Sequence, residues 1–361
     1  MRLASTKLLK PGTTVGQAIL NDKGNVLIQK GIGLTAQMIR RLIQQGVTYI
    51  YVEDELTNDI QIESVISEES RIDATNTVKD TFYDIKQKGF SNRSYILEKK
   101  STQITNVIER LLDEIMHREN ALSLLSDVFV TDDYIFQHSI NVTIYSLAIG
   151  TELKLPRSKL VEIGIGAMLH DIGKIFIDQD ILKKTSKLSL MEYEAIKCHT
   201  QYGYDFLKNQ DNLPLTVAHC AFQHHERLDG SGYPRGICNQ EIHLYGKVLA
   251  VADVFDAVTS NRSYREAMLP HEGLEILYAG AVNLFDKEMV EAFKKSVAVY
   301  PNGLTVKLND NRLGVVVRQH QHLCDRPIIR ITKDESKSCF SPYEVDLSNN
   351  LSTTIKACFQ E

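Results

Sequence analysis

HHERLDGSGYP, residues 224–234, is the stretch from which the rest of this chain can be read. His224, His225, Glu226 and Asp229 fall within six residues, and Gly230, Gly232 and Pro234 then break the chain into a tight loop. His224 shares a helical face with Val217, Cys220 and Ala221, so the histidine pair ends a helix. Upstream, HDIGK supplies His170, Asp171 and Lys174 in residues 170–174; downstream, ADVFDAVTSNRSYR supplies Asp253, Asp256, Arg262 and Arg265 in residues 252–265. Together with His138 and His199 these stretches are expected to build one active site.

Five imidazoles (His138, His170, His199, His224, His225) and two carboxylates (Asp171, Asp253) exceed what one metal ion needs. Mixed nitrogen and oxygen donors without thiolates suit Fe, Mn, Co or Zn and argue against a structural zinc site. Asp171 can bridge two cations, with a hydroxide shared between them as nucleophile for a phosphate ester. Lys174, one turn on, is placed for a non-bridging phosphate oxygen, and Arg262 and Arg265 for bidentate grip on others. Gly232, Tyr233 and Pro234 let a flat ligand approach the backbone, with the Tyr233 ring offered to a base. Glu226 is expected to orient a ligand histidine, and Asp229 and Asp256 to support the site from behind. His117, His219, His243, His271, His320 and His322 are read as ordinary surface or core residues.

At 361 residues the chain is long enough for two or three folded units. Its 43% hydrophobic and 24% charged content is that of a globular protein, and a net charge of -5 gives no general attraction to a nucleic acid polymer or an anionic membrane. No run approaches the ~20 apolar residues of a membrane span, and no apolar signal segment opens the sequence. Six dispersed cysteines without a CxxC pair read as reduced thiols, hence a cytoplasmic setting. There is no GxGxxG, P-loop or GxSxG.

Residues 1–55 form a small α+β unit: AILND and NVLIQ flank an Asp22-Lys23-Gly24 turn, TAQMIRRLIQQG reads as a helix stopped by Gly46, and VTYIYVE reads as a strand. Residues 56–130 are a helical linker region in which Ile104, Val107, Ile108, Leu111, Leu112 and Ile115 make one apolar stripe. That stripe is expected to pack within the chain; a homodimer through the 101–130 helix is its alternative use. Residues 131–300 are nearly all helix, with Ser158 as a cap, a helix over about 189–200 carrying Tyr193, Ile196 and His199, and Pro214 at a helix start. From 301 to 361, TVKLND, LGVVVRQ and RPIIRIT alternate with period two, a β-rich appendage.

Over residues 130–300 these motifs resemble the HD-GYP family, a branch of the HD-domain metal-dependent phosphohydrolases. The resemblance implies a mainly α protein, with an HD-type all-helical catalytic domain between the α+β N-terminal unit and the β-rich appendage. It implies hydrolysis of cyclic di-GMP to pGpG or on to GMP, with Fe or Mn as the metal. His138, His170, Asp171, His199, His224, His225 and Asp253 match the family's ligand positions, Lys174 its phosphate-contacting lysine, and Arg262 and Arg265 substrate-side positions. Gly232-Tyr233-Pro234 matches the loop that names the family, near substrate and partner proteins. The chain departs from the three-metal members at Tyr134, where they carry a glutamate. Two metals, with pGpG as the main product, are therefore expected. The competing reading is a catalytically silent cyclic-dinucleotide receptor or scaffold of the same fold.

Overall fold

The computed structural model describes residues 1–21, 25–62, 64–87, 93–117, 129–130, 134–184, 186–260, 267–320, 323–334 and 341–359. The Asp22-Lys23-Gly24 turn and His322 lie outside the described residues, as do Arg262 and Arg265. Two compact units emerge, and they do not follow chain order: residues 1–65, 118–132 and 294–361 form one, residues 66–117 and 133–293 the other.

The first unit joins the two ends of the sequence. Strand β1 (Arg2–Ser5) pairs antiparallel with β4 (Tyr49–Val52), while β2 (Ile19–Asn21) lies between antiparallel β3 (Val26–Ile28) and parallel β5 (Phe129–Val130). Helix α1 (Ala36–Gln44) starts where the Thr35 hydroxyl accepts the Met38 N–H at 3.2 Å. It buries Ile39 and Leu42 against Val15, Ile19, Val47 and Ile50. The C-terminal strands β6 (Thr305–Leu308), β7 (Leu313–Arg318), β8 (Ile328–Lys333), β9 (Tyr343–Asp346) and β10 (Ile355–Phe359) form an antiparallel sheet ordered β10-β6-β7-β8-β9. Alternation is clean on β6 and β8, whereas Gly314–Val317 of the central β7 are all buried. The ends of the sequence meet through main-chain pairing of Leu3 N–H with the Gly303 carbonyl at 2.9 Å, and through Arg330 gripping Asp59 at 2.5 and 2.8 Å.

The second unit is helical. It contains α2 (Glu68–Gln87), α3 (Arg93–Met116), α4 (Tyr134–Glu152), α5 (Arg157–Leu169), α6 (Gln179–Leu182), α7 (Leu190–Lys197), α8 (His199–Leu207), α9 (Leu215–Gln223), α10 (Leu244–Thr259) and α11 (Pro270–Gly280), and most of α12 (Lys287–Ser296). Helix α4 is the hub. From Ser139 to Gly150 every residue is buried, as expected of a helix that is covered all round by α2, α3, α5 and α10. The segment read as a linker thus contributes α2 and α3 to this unit. Ile104, Val107, Ile108, Leu111, Leu112 and Ile115 are each at most 3% exposed, so the stripe of α3 is spent inside the unit and offers no apolar face to a second copy.

Two local readings need correction. Ser158 is not the cap of α5: it is the second helical residue, and Pro156 holds the N-cap position without a side-chain bond. The helix expected over 189–200 is two helices, meeting at Cys198, the first opened by a Ser189–Glu192 capping box. None of the described helices is long and apolar enough to cross a membrane.

Candidate metal centre

The expected ligands come from five places in the helical unit. His138 lies in the second turn of α4, His170 caps α5, His199 opens α8, His224 ends α9 and Asp253 sits in α10. Asp171 begins the short 3-10 turn Ile172–Phe176 that follows α5. This turn lies so close to the start of α8 that a Cβ on Gly173 would fall 2.7 Å from Gly203 N and collide with the His199 carbonyl. Only glycine brings His170-Asp171 and His199 together.

Each histidine is aimed by the nitrogen it does not turn inward. His170 Nδ1 donates to the Ala167 carbonyl at 2.7 Å, His199 Nδ1 to Ile196 at 2.7 Å and His224 Nδ1 to Cys220 at 3.1 Å. His138 Nδ1 instead meets Asp256 Oδ2 at 2.7 Å. All four therefore present Nε2 to the site centre. There the two oxygens of Asp171 divide them. Oδ1 lies 3.4 Å from His199 Nε2 and 3.9 Å from His224 Nε2, and Oδ2 lies 3.4 Å from His170 Nε2 and 3.7 Å from His138 Nε2. Asp253 spans the other side, 3.1 Å from His138 Nε2 and 3.6 Å from His225 Nδ1.

Metal suits this arrangement better than hydrogen bonding does. His170 Nε2 and Asp171 Oδ1 are buried without a hydrogen-bond partner, a costly state for two such strong polar atoms. Two groups, His138-His170-Asp171 and His199-His224-His225, each bring their donor atoms within 4.8 Å of one another. The set is thus able to hold divalent metal.

Charge runs the same way. Burial holds His170, His224 and His225 below the ordinary histidine value, and takes His199 down to about 4. Burial opposes ionisation of Asp171 and Asp253, but the surrounding cations and imidazoles hold both well below the usual carboxylate range. His138 is the exception. Burial would lower it, yet hydrogen bonds and charge from Asp253 and Asp256 raise it to about 9.

A bell-shaped stability profile is expected for the metal-free protein. The His138 contribution is complete below the ordinary value of 6.5 and is lost as pH rises through about 9. The other four histidines, with depressed folded values, contribute fully above 6.5 and lose this as pH falls, through about 4 for His199. The Tm of chelator-treated protein should therefore decline on both sides of neutrality. In His138→Gln only the alkaline decline should flatten; if it persists, another group titrates there.

The remaining predicted residues sort by position. Lys174 Nζ turns back onto Asp171 Oδ2 at the rim of the site. Asp256 lies behind His138, as above. Glu226 does not orient a histidine. Its buried carboxylate accepts the N–H of Arg235 at 2.9 Å and of Ile237 at 3.2 Å, folding the loop back on its own origin. Asp229 is exposed and takes the Ser231 N–H and hydroxyl at 2.9 and 2.6 Å, an Asx turn rather than support for the metal site. Gly232 sits against His225 and Glu226, and the Tyr233 ring lies 4.6 Å from that of His225, with Lys197 Nζ 5.5 Å from its centroid. Pro234 is exposed at the loop tip. Tyr134 opens α4, but its side chain lies outside the described residues.

Sequence reasoning missed two residues. Arg227 Nη1 donates to the carbonyls of His224 and Glu226 at 3.2 and 2.8 Å, and Asn141 Nδ2 donates to Asp256 Oδ1 at 2.8 Å. An asparagine three residues after His138 on the same helix was the available signal for the second.

Comparison with known proteins covers the stretch of chain that holds these residues. The family described as HD domain matches residues 109–289, and the one described as KOW domain associated with HD domain matches 305–361. The cyclic di-GMP phosphodiesterase PA4108 of Pseudomonas aeruginosa is 33% identical over 227 residues, 63% of this chain and 55% of that protein. A cyclic di-GMP phosphodiesterase of Thermotoga maritima is 35% identical over 209 residues, 58% of this chain and 55% of that protein. The 3'3'-cGAMP-specific phosphodiesterase 3 of Vibrio cholerae is 35% identical over 172 residues, 48% of this chain and 37% of that protein. The chain spans about half the length of the first two of these relatives, or less for the third.

Proposed function

Because the chain belongs to the HD-domain family, we propose that it is a metal-dependent phosphodiesterase that opens cyclic di-GMP to the linear dinucleotide pGpG. The observation that carries this reading is the division of Asp171, one oxygen facing His199 and His224 and the other His170 and His138. A carboxylate so placed could serve two cations, one of which His138, His170 and Asp253 would help to hold and the other His199, His224 and His225. The imidazole and carboxylate donors are compatible with iron or manganese, and the HD-GYP resemblance favours these two among the metals that suit such a set. When bound, the metals supply Lewis-acid charge and an acidified water for attack on phosphorus.

The protein's own groups do the rest. Asp171 and Asp253 stay ionised across the physiological range, so no proton competes for their oxygens. Lys174, a part-exposed cation at the rim, offers its ammonium to a phosphate oxygen as negative charge grows. The ring of Tyr233, against His225, gives a base an aromatic surface, and the exposed Pro234 end of the loop is available to a partner protein. Arg262 and Arg265 are assigned to phosphate by sequence position alone. Tyr134, a phenol where a third cation would want a carboxylate, supports two metals and a reaction that stops at pGpG. A cytoplasmic setting accompanies the proposal, as the six dispersed cysteines without a CxxC pair suggest.

The test is made on anaerobically purified protein, counting metals per chain and following cyclic di-GMP and 3'3'-cGAMP by chromatography. About two metals with pGpG accumulating are expected. Faster turnover of 3'3'-cGAMP would reassign the substrate. Tight binding with no product from either, after loading with Fe and with Mn, would replace the enzyme by a receptor.

A further inference from the structure

Behind the metal centre a line of buried polar side chains runs from His138 to α2. His138 Nδ1 meets Asp256 Oδ2 at 2.7 Å. The other oxygen of Asp256 accepts Asn141 Nδ2 at 2.8 Å and the Ser260 hydroxyl at 2.9 Å. Asn141 Oδ1 in turn accepts Arg71 Nη1 at 3.1 Å and Gln137 Nε2 at 3.1 Å. Arg71 is 2% exposed and Asn141 9%.

The chemistry of the middle residue gives this line a direction. An amide has one accepting end and one donating end. A guanidinium can only donate and a carboxylate can only accept, so Arg71 draws the oxygen of Asn141 toward itself and Asp256 draws its NH₂, and the amide of Gln137 turns to donate to the same oxygen. Flipped, the oxygen of Asn141 would face a carboxylate, and the guanidinium would face an NH₂. Asp256, held on Oδ1 by two donors, keeps Oδ2 for His138, which then carries its proton on Nδ1 and turns Nε2 toward the metal position. A buried guanidinium is rare unless something holds it, and here the structure supplies a reason for retaining one.

We propose that Arg71 is a positioning residue of the metal centre, acting on the His138 cation position through Asn141 and Asp256. It rests on the metal-site reading above and extends that site to α2, which carries none of the motifs. Among the described residues, the path from Arg71 to an expected ligand runs through Asn141 and Asp256, and the double variant below separates that path from a merely structural role.

The probe is Mn²⁺, titrated into metal-free full-length protein by calorimetry, with no turnover in the readout. Arg71→Met and Asn141→Leu should each weaken one of two Mn²⁺ sites about tenfold or more, the usual scale for a lost outer partner of a ligand histidine. The double variant should be no weaker than Asn141→Leu alone, because one residue acts through the other. If Arg71→Met does not fold, as judged by circular dichroism, Asn141→Leu carries the test, and Arg71→Lys, a cation that can also only donate, should stay nearer wild type than Asn141→Leu. Lower Tm with both Mn²⁺ affinities within twofold of wild type would overturn the proposal, as would effects that multiply in the double variant. Wild-type protein that binds no Mn²⁺ or Fe²⁺ at all would instead sink the metal-centre reading itself.

Discussion

Asp171→Ala should lose bound metal and lower turnover by at least about 10³-fold, the scale reached when a single strong electrostatic contributor to a transition state is removed. The expectation rests on where the carboxylate stands. It is 1% exposed, its oxygens lie 3.4–3.9 Å from four imidazole nitrogens, and it holds the rim lysine Lys174. Alanine removes the only described carboxylate that faces His170, His199 and His224 together. It also leaves Lys174 without its anion beside a cluster of histidines, which turns an attractive site for cations into a repulsive one. Metal per chain, measured by elemental analysis, should fall from about two toward zero, and Asp171→Asn, of the same shape, should behave nearly as badly. Two retained metals with wild-type turnover would place the reaction elsewhere in the protein.

The second large effect should come from a methyl group. In Gly232→Ala the added Cβ would fall 2.5 Å from Glu226 Cα and 2.5 Å from the His225 carbonyl oxygen, main-chain atoms that cannot swing aside as a side chain can. The loop must lift. It carries the Tyr233 N–H that meets the His225 carbonyl at 3.2 Å and the ring that lies against the His225 imidazole. A shift of about 1 Å in a positioned group costs on the order of 10²-fold in rate, so kcat should drop by about that factor while the helices keep their circular dichroism. Ser231→Ala, a neighbour exposed to solvent, serves as the control and should stay within a few fold. A fully active Gly232→Ala would show that the loop's seating against His225 has no part in turnover.

Much of the site was legible because its chemistry is written in short strings. His170-Asp171 and His224-His225 are adjacent pairs, and the bonds that aim His170, His199 and His224 run to carbonyls three or four residues back. The stripe of α3 was legible for the same reason: its period is local even though the surfaces it covers are not. What sequence could not give was long range. Glu226 finds its partners nine and eleven residues away, and both are main-chain amides, which no side-chain pattern reports. Arg71 meets Asn141 across 70 residues. The union of residues 1–65 with 294–361 depends on contacts such as Leu3 with Gly303. Asp229 was misread because its place in a metal-rich string hid its commoner use, a turn.

The loop's fastening has a consequence for anyone wishing to rebuild it. Glu226 holds main-chain N–H groups, so the side chains of Arg235 and Ile237 are not what it recognises. Those two positions can be varied in a library, to graft a recognition sequence or a fluorophore beside the site, with the Glu226 anchor kept, a change at 235 giving up only the Arg235 guanidinium over the Phe222 ring at 4.8 Å. Only proline, which has no N–H, is barred from them.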